Sequence, residues 1–220
     1  MTDKHHINDY EEDSRRMEDD SYKTIAARSE GLYTEKRSKF IAMAIPVRTL
    51  DDIKEELAAI NKKYYDARHA CYAYMLGPER KDFRANDNGE PSGTAGRPIL
   101  GQINSLELTD ILVVVVRYFG GIKLGTSGLY AAYKEAAAEA LRAATIIEKT
   151  VDEDVSFHFE YPFMNEVMRI VKEEEPELIS QGFDNNCYMT LRIRRSQMAR
   201  LRARLEKVET LSFLVDAPTQ

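Results

Sequence analysis

The run ILVVVV at 111–116, within DILVVVVRYFGG (110–121), is the feature that most constrains the fold. It is the most strongly apolar run in the chain and, like every other, falls far short of the roughly 20 residues that a bilayer span needs. At this length it reads as a buried strand. The strand stops at Gly120-Gly121, and IKLGTSGLYAAYKEAAAEALRAA (122–144) then begins a helix with Leu129, Tyr133, Ala136, Ala137, Ala140 and Leu141 on its inner side. Thr126 or Ser127 is the expected cap. Alternation puts Arg117 and Phe119 on one face near the strand's end, so that Arg117 and Lys123 flank the loop and the amides of the following helix, a favourable setting for a phosphate. Gly120 and Gly125 have the separation of a Walker A loop, but Thr126 stands where that motif needs Lys. Close packing of strand on helix explains the glycines equally well.

A second glycine-rich helix start precedes it, in DNGEPSGTAGRPIL (87–100). Asp87-Asn88-Gly89 is a turn signal, Pro91 pushes Glu90 out of helical geometry, and Ser92 or Thr94 is placed to cap a helix whose apolar face is Ile99, Leu100, Ile103 and Leu106. Gly93 and Gly96 would let another group approach the backbone. Free amides and Arg97 at this helix start suit an anion, although an ordinary capped helix after a turn fits the stretch as well. Asp87 and Glu90 are also candidates for an acid/base pair, but no nucleophile or metal-ligand set accompanies them, and no catalytic residue, metal or cofactor is assigned.

Around these loops, Tyr22 to Val47 fits two short strands separated by a charged turn at Glu35 to Ser38. A helix follows, with Thr49 as N-cap, Asp52 three residues on, and Ile53, Leu57, Ile60 and Tyr64 at helical spacing. HACYAYML (69–76) reads as a strand and GPERKDFRANDNG as an exposed loop. His69, at the entrance of its strand, is by itself a hydrogen-bonded structural histidine.

The charge is unevenly spread. Residues 1–22 hold 8 acidic and 3 basic side chains, 23–150 hold 16 and 19, and 151–220 hold 13 and 9. The formal net charge of -6 therefore conceals a basic middle segment, in which Lys36, Arg37, Lys39, Lys62, Lys63, Arg80, Lys81 and Arg84 form either a positive face or a mixed solvated surface. Residues 1–21 have almost no apolar content and read as a disordered acidic leader, His5-His6 included. The polar N-terminus, the absence of a long apolar run and two distant cysteines, Cys71 and Cys187, give the expectation of a cytoplasmic protein with reduced, packed thiols.

The last third alternates strand and helix signals: VDEDVSFHFEY, PFMNEVMRIVKEEE, ELISQGF, CYMTLRIR after a turn at Asp184-Asn185-Asn186, SQMARLRARLEKV and TLSFLVDA. This β-α-β-β-α-β order is the ferredoxin-like pattern. Arg200 and Arg204 share a helical face within the densest arginine cluster of the chain, while Met198, Leu201 and Leu205 take the packing side.

DNGEPSGTAGRPIL followed by VVVVRYFGGIKLGTSGL resembles the IMPACT/YigZ family, whose pattern D-[DN]-G-E-P-S-G-T-A-G-x-P and R-Y-[FY]-G-G-I-K-L-G is far more specific than either loop. The likeness covers roughly residues 22–150, and DARHACYAY (66–74) is similar to the family's stretch around a histidine, which makes His69 a candidate functional residue. The chain departs from the pattern at Ser127, where members usually have Gly, and at Ala131, where they often have Arg, so that one expected positive group is missing. The resemblance implies an α+β protein: a leader at 1–21, a ribosomal protein S5 domain 2-like domain at 22–150 similar to domain IV of elongation factor G, and a ferredoxin-like domain at 151–220 similar to its domain V.

Eukaryotic relatives regulate translation during amino-acid starvation by competing for the activator of an initiation-factor kinase. The expectation for this chain is an RNA- or ribosome-associated translation regulator that contacts phosphate through Ser92, Thr94, Arg97, Arg117, Lys123, Thr126 and Ser127, with His69, Asp87, Glu90, Arg200 and Arg204 as further candidates. The alternatives are an enzyme acting on a phosphorylated small molecule or nucleotide between the two glycine-rich helix starts, and a protein-interaction module.

Overall fold

The computed structural model describes residues 20–183 and 186–214. Within them the chain forms two compact units, one over Tyr22–Lys149 and one from Thr150 onward together with Asp20 and Ser21. The acidic leader up to residue 19, His5-His6 with it, and the turn residues 184 and 185 lie outside the described residues.

In the first unit, strands β1 (Ser21–Ile25), β2 (Ser29–Glu35), β3 (Ser38–Pro46), β4 (His69–Leu76), β5 (Asp82–Asn86), β6 (Ile111–Tyr118) and β7 (Ile146–Thr150) accompany helices α1 (Leu50–Lys63), α2 (Gly96–Ser105) and α3 (Gly125–Arg142). Five of the strands make one antiparallel sheet in the order β2-β3-β6-β4-β5, while β1 and β7 pair separately. The ILVVVV run is the central strand, with every residue from Ile111 to Arg117 buried. Its two faces pack into different cores. Ile111, Val113 and Val115 join Ile99, Ile103, Leu129, Tyr133 and Ala136 beneath α2 and α3, whereas Leu112, Val114 and Val116 join Ile53 and Ile60 beneath α1. A strand covered on both sides loses the polar alternation of a half-exposed one, hence its uniformly apolar sequence.

Thr49 begins α1 with a capping box: its hydroxyl accepts from the Asp52 amide at 3.1 Å, and the Asp52 carboxylate accepts from the Thr49 amide at 2.9 Å. Three expectations need correction. The segment 22–47 holds three strands, because Ser21–Ile25 pairs with the distant β7. The expected exposed loop contains β5, an edge strand whose residues Asp82 to Ala85 are all exposed, so no apolar alternation marked it. And α3 starts at Gly125, ahead of the expected cap, which puts Thr126 and Ser127 inside its first turn.

Antiparallel order brings the ends of β2, β5 and β6 and the beginnings of β3 and β4 to one end of the sheet. The C-terminus of α1 reaches that end too: in the link after it, Asp66 accepts a hydrogen bond from the Tyr118 hydroxyl at 2.7 Å. Both glycine-rich loops emerge there.

In the second unit, β8 (Asp152–Phe159), α4 (Met164–Glu174), β9 (Glu177–Phe183), β10 (Cys187–Arg194), α5 (Arg195–Leu205) and β11 (Ser212–Phe213) follow in that order. They form an antiparallel sheet in the order β11-β8-β10-β9. Alternate residues of β8 and β10, among them Val155, Phe157, Met189 and Leu191, pack against Val167, Ile170, Leu201 and Leu205 of the two helices. The end of the expected leader takes part in this unit: the Asp20 carboxylate, almost wholly buried, accepts from Arg194 Nε at 2.7 Å and from the Ser196 amide at 3.0 Å, capping α5. Among the described residues, no helix is long and apolar enough to cross a membrane.

Candidate functional site

The loop between β5 and α2 is closed on itself by Asp87. One carboxylate oxygen accepts from the amides of Ala95 at 2.9 Å and Gly96 at 2.8 Å, the other from Gly93 at 2.8 Å. Burial alone would raise the Asp87 pKa; the three amides outweigh it and hold the group below the usual carboxylate range. These are the amides that the sequence offered to an external anion, so the start of α2 is filled from within the chain. Neither Ser92, which is exposed, nor Thr94 caps it. The Thr94 hydroxyl donates instead to the Pro91 carbonyl at 2.6 Å. Gly96 permits an approach of chain to chain rather than of ligand to chain, since a Cβ there would lie 2.5 Å from the Asn86 nitrogen of β5.

Glu90 and Arg117 face each other under this loop. Arg117 Nη1 donates to Glu90 Oε1 at 2.6 Å, with side chains only 8% and 4% exposed. The Tyr133 hydroxyl of α3 donates to the same carboxylate at 2.9 Å, and the Arg117 guanidinium lies between the rings of Phe40 and Phe119 at 5.6 and 5.7 Å. The Cys71 thiol donates to the Asp87 carbonyl at 2.9 Å and lies 3.4 Å from the Tyr133 oxygen. Burial pushes Cys71 up to about 12, and burial likewise raises Tyr133. His69 Nδ1 stands 2.8 Å from the Asn88 carbonyl, which can only accept, so the proton is on Nδ1. Asp87, Glu90, His69 and Arg117 therefore form the internal framework of the loops, and Arg117 is turned inward to a carboxylate. Arg97, in the first turn of α2, remains exposed.

The second loop differs. Among the described residues no side chain is bonded to the start of α3, and Gly125, Thr126, Ser127 and the preceding Lys123 are exposed. Its amides and two hydroxyls face solvent at the positive end of the helix dipole. The β2-β3 hairpin turn lies against the same loop: a Cβ on Gly120 would fall 2.0 Å from the Arg37 carbonyl carbon, and the Gly120 amide donates to the Ser38 hydroxyl at 3.2 Å. Lys36 and Arg37, both at positive φ in that two-residue turn, are exposed.

Around this end of the sheet stand Lys39 at the start of β3, Lys62 and Lys63 at the end of α1, and Arg68 beside β4. All are exposed, and none of these cations, nor Lys36, Arg37 and Lys123, makes an ion pair with another described residue. The cations thus divide in space. Arg48 and Lys81 lie at the opposite end, lining a shallow recess beside the start of α1.

The arginine cluster of the second unit is spent internally. The Glu174 side chain, 2% exposed, accepts from Arg200 at 2.7 Å and Arg204 at 2.5 Å; Arg204 also bonds Glu173, Arg192 pairs with Asp154 through two bonds, and Arg202 lies over the Phe213 ring.

Comparison with known proteins bears on this arrangement. The model of the Impact N-terminal domain matches residues 36–141, a span that contains both glycine-rich loops. The chain is 34% identical over 155 residues to the IMPACT family member YvyE of Bacillus subtilis, covering 70% of this chain and 71% of that protein. It is 30% identical over 172 residues to the IMPACT family member YigZ of Escherichia coli, covering 77% of this chain and 84% of that one. Among solved structures, the crystal structure of a hypothetical protein aligns with a TM-score of 0.68 at 28% identity, over 91% of this chain and 99% of the other.

Proposed function

The chain belongs to the IMPACT family, and on that footing we propose that it is a cytoplasmic RNA- or ribosome-associated protein that regulates translation by binding phosphate at the loop end of its first unit. One observation carries this reading: Lys36, Arg37, Lys39, Lys62, Lys63, Arg68 and Lys123, none in an ion pair with another described residue, gather with the start of α3 at one end of the five-stranded sheet. Such a surface attracts the polyanionic backbone of nucleic acid irrespective of sequence. The contacts assigned to it are Lys123, Thr126, Ser127 and the hairpin residues Lys36 and Arg37, with Arg97 at its margin. Thr94 and Arg117 shape the loops that present it, and Ser92 is exposed on one of them.

The fold reading is consistent with this role. The β-α-β-β-α-β sequence with its order β11-β8-β10-β9 supports a ferredoxin-like second domain over 151–220, and we take residues 22–150 as an S5 domain 2-like first domain. The enzyme alternative loses ground because its proton-transfer groups are engaged: Asp87 with three amides, Glu90 with Arg117 and Tyr133, His69 with a carbonyl.

The test is capture of partners from the protein's own cytoplasm by the tagged full chain, with and without ribonuclease, at two salt concentrations. Recovery of ribosomal or messenger RNA that falls with salt and disappears with nuclease is expected. Partners that persist after nuclease and are indifferent to salt would overturn the proposal in favour of a protein-interaction module.

A further inference from the structure

The cationic end of the sheet also carries aromatic rings that the core does not use. Tyr65 is 85% exposed and Phe119 53% exposed. Tyr65 follows Lys62 and Lys63 in the link after α1; Phe119 directly follows β6, at the head of the loop that carries Lys123. Tyr118, half-buried on the α1 side, is opposite Lys39 in the β3–β6 register and tied through its hydroxyl to Asp66, the neighbour of Tyr65, whereas Phe119 lies on the other face with Arg117. The Tyr118 proton is held first by that hydrogen bond, and Tyr64 and Tyr65 are near enough to add to the upward shift.

Two exposed rings beside these cations can take a flat apolar face, and the charge fixes what carries that face. Charge complementarity selects a phosphodiester strand, and exposed rings select unpaired bases, because a duplex buries its base faces in its own stack. Phe119 is also held in place: the buried Arg117 guanidinium lies 5.7 Å from its ring centroid, steadying it without covering it.

Resting on the RNA reading above, we propose that this end of the first unit binds single-stranded RNA across its rim, with bases stacking on Tyr65 at the α1 side and on Phe119 at the α3 side while Lys39, Lys63, Arg68 and Lys123 neutralise the intervening phosphates. The rings make affinity depend on unpaired bases; the cations make it depend on salt.

The experiment measures fluorescence anisotropy of the full chain with a labelled, unstructured single strand of about 12 nucleotides, within the usual site size for such surfaces, and with the same sequence as a duplex. The single strand should bind more tightly. Phe119→Ala and Tyr65→Ala should each weaken it about 5- to 150-fold, the factor expected for one stacked base, with an unchanged salt slope, while Phe119→Tyr and Tyr65→Phe retain binding. Unchanged thermal melting of the variants establishes that they fold. Equal affinity for the duplex, or alanine variants that bind as the parent does, would overturn the platform and leave the phosphate surface standing. Failure of the parent chain to bind either RNA at low salt would remove both.

Discussion

Arg117 and Glu90, 27 positions apart in the chain, meet at 2.6 Å with less than a tenth of either side chain exposed. They tie β6 to the turn before α2 and, through Tyr133, to α3. An ion pair so enclosed is costly to break singly, because the remaining charge is left dry. Glu90→Ala is expected to lower unfolding free energy by about 3–5 kcal/mol, whereas the paired change Glu90→Leu with Arg117→Leu loses less than Glu90→Ala alone. Urea unfolding of the three variants checks this ordering.

Asp87 governs the acid limb of stability. Its folded pKa is lowered, so its contribution is fully present above the unfolded value of about 3.9 and is lost as pH falls through the folded value. Asp87→Asn should cost about 1–3 kcal/mol at neutral pH through weakened acceptance of three amides. The deficit should shrink on acidification below about pH 4. Parallel melting curves from pH 7 to pH 3 measure it.

How much of this was legible in the sequence depends on the range of the interactions. The central strand, the inner face of α3 and the Thr49–Asp52 cap are each marked by residue types a few positions apart, and local pattern exposes them. The role of Asp87 was hidden, because a turn acid ahead of a glycine-rich helix start looks the same whether it faces water or reaches eight residues on to cap that helix. The strand β5 was hidden for a different reason: an exposed edge strand need not alternate. Nor does sequence spacing reveal which lysines meet. Lys39, Lys63 and Lys123 come together only through the order β2-β3-β6-β4-β5, while Lys81 goes to the other end.

Cys71 should be chemically silent in the native protein. It is fully buried, and its thiol is pushed up to about 12. At pH 8 iodoacetamide should leave it unmodified over hours in buffer and alkylate it promptly in guanidinium chloride. Peptide mass analysis of the two reactions reports the site.

The arginines of α5 should matter for stability and not for RNA. Arg200→Ala with Arg204→Ala leaves the buried Glu174 carboxylate without either partner. The variant should melt below the parent, by less than loss of a fully enclosed pair would cause, because Arg200 is largely in solvent. RNA affinity measured on the folded variant should match that of the parent.

The most direct test is the salt dependence of RNA binding by the parent chain and by the triple variant Lys36→Ala, Arg37→Ala, Lys123→Ala. For a single strand each phosphate contact contributes about 0.7 to the slope of log affinity against log salt, so the variant should bind more weakly and lose about 2 from the magnitude of that slope. A variant with the parent's affinity and slope would contradict the account.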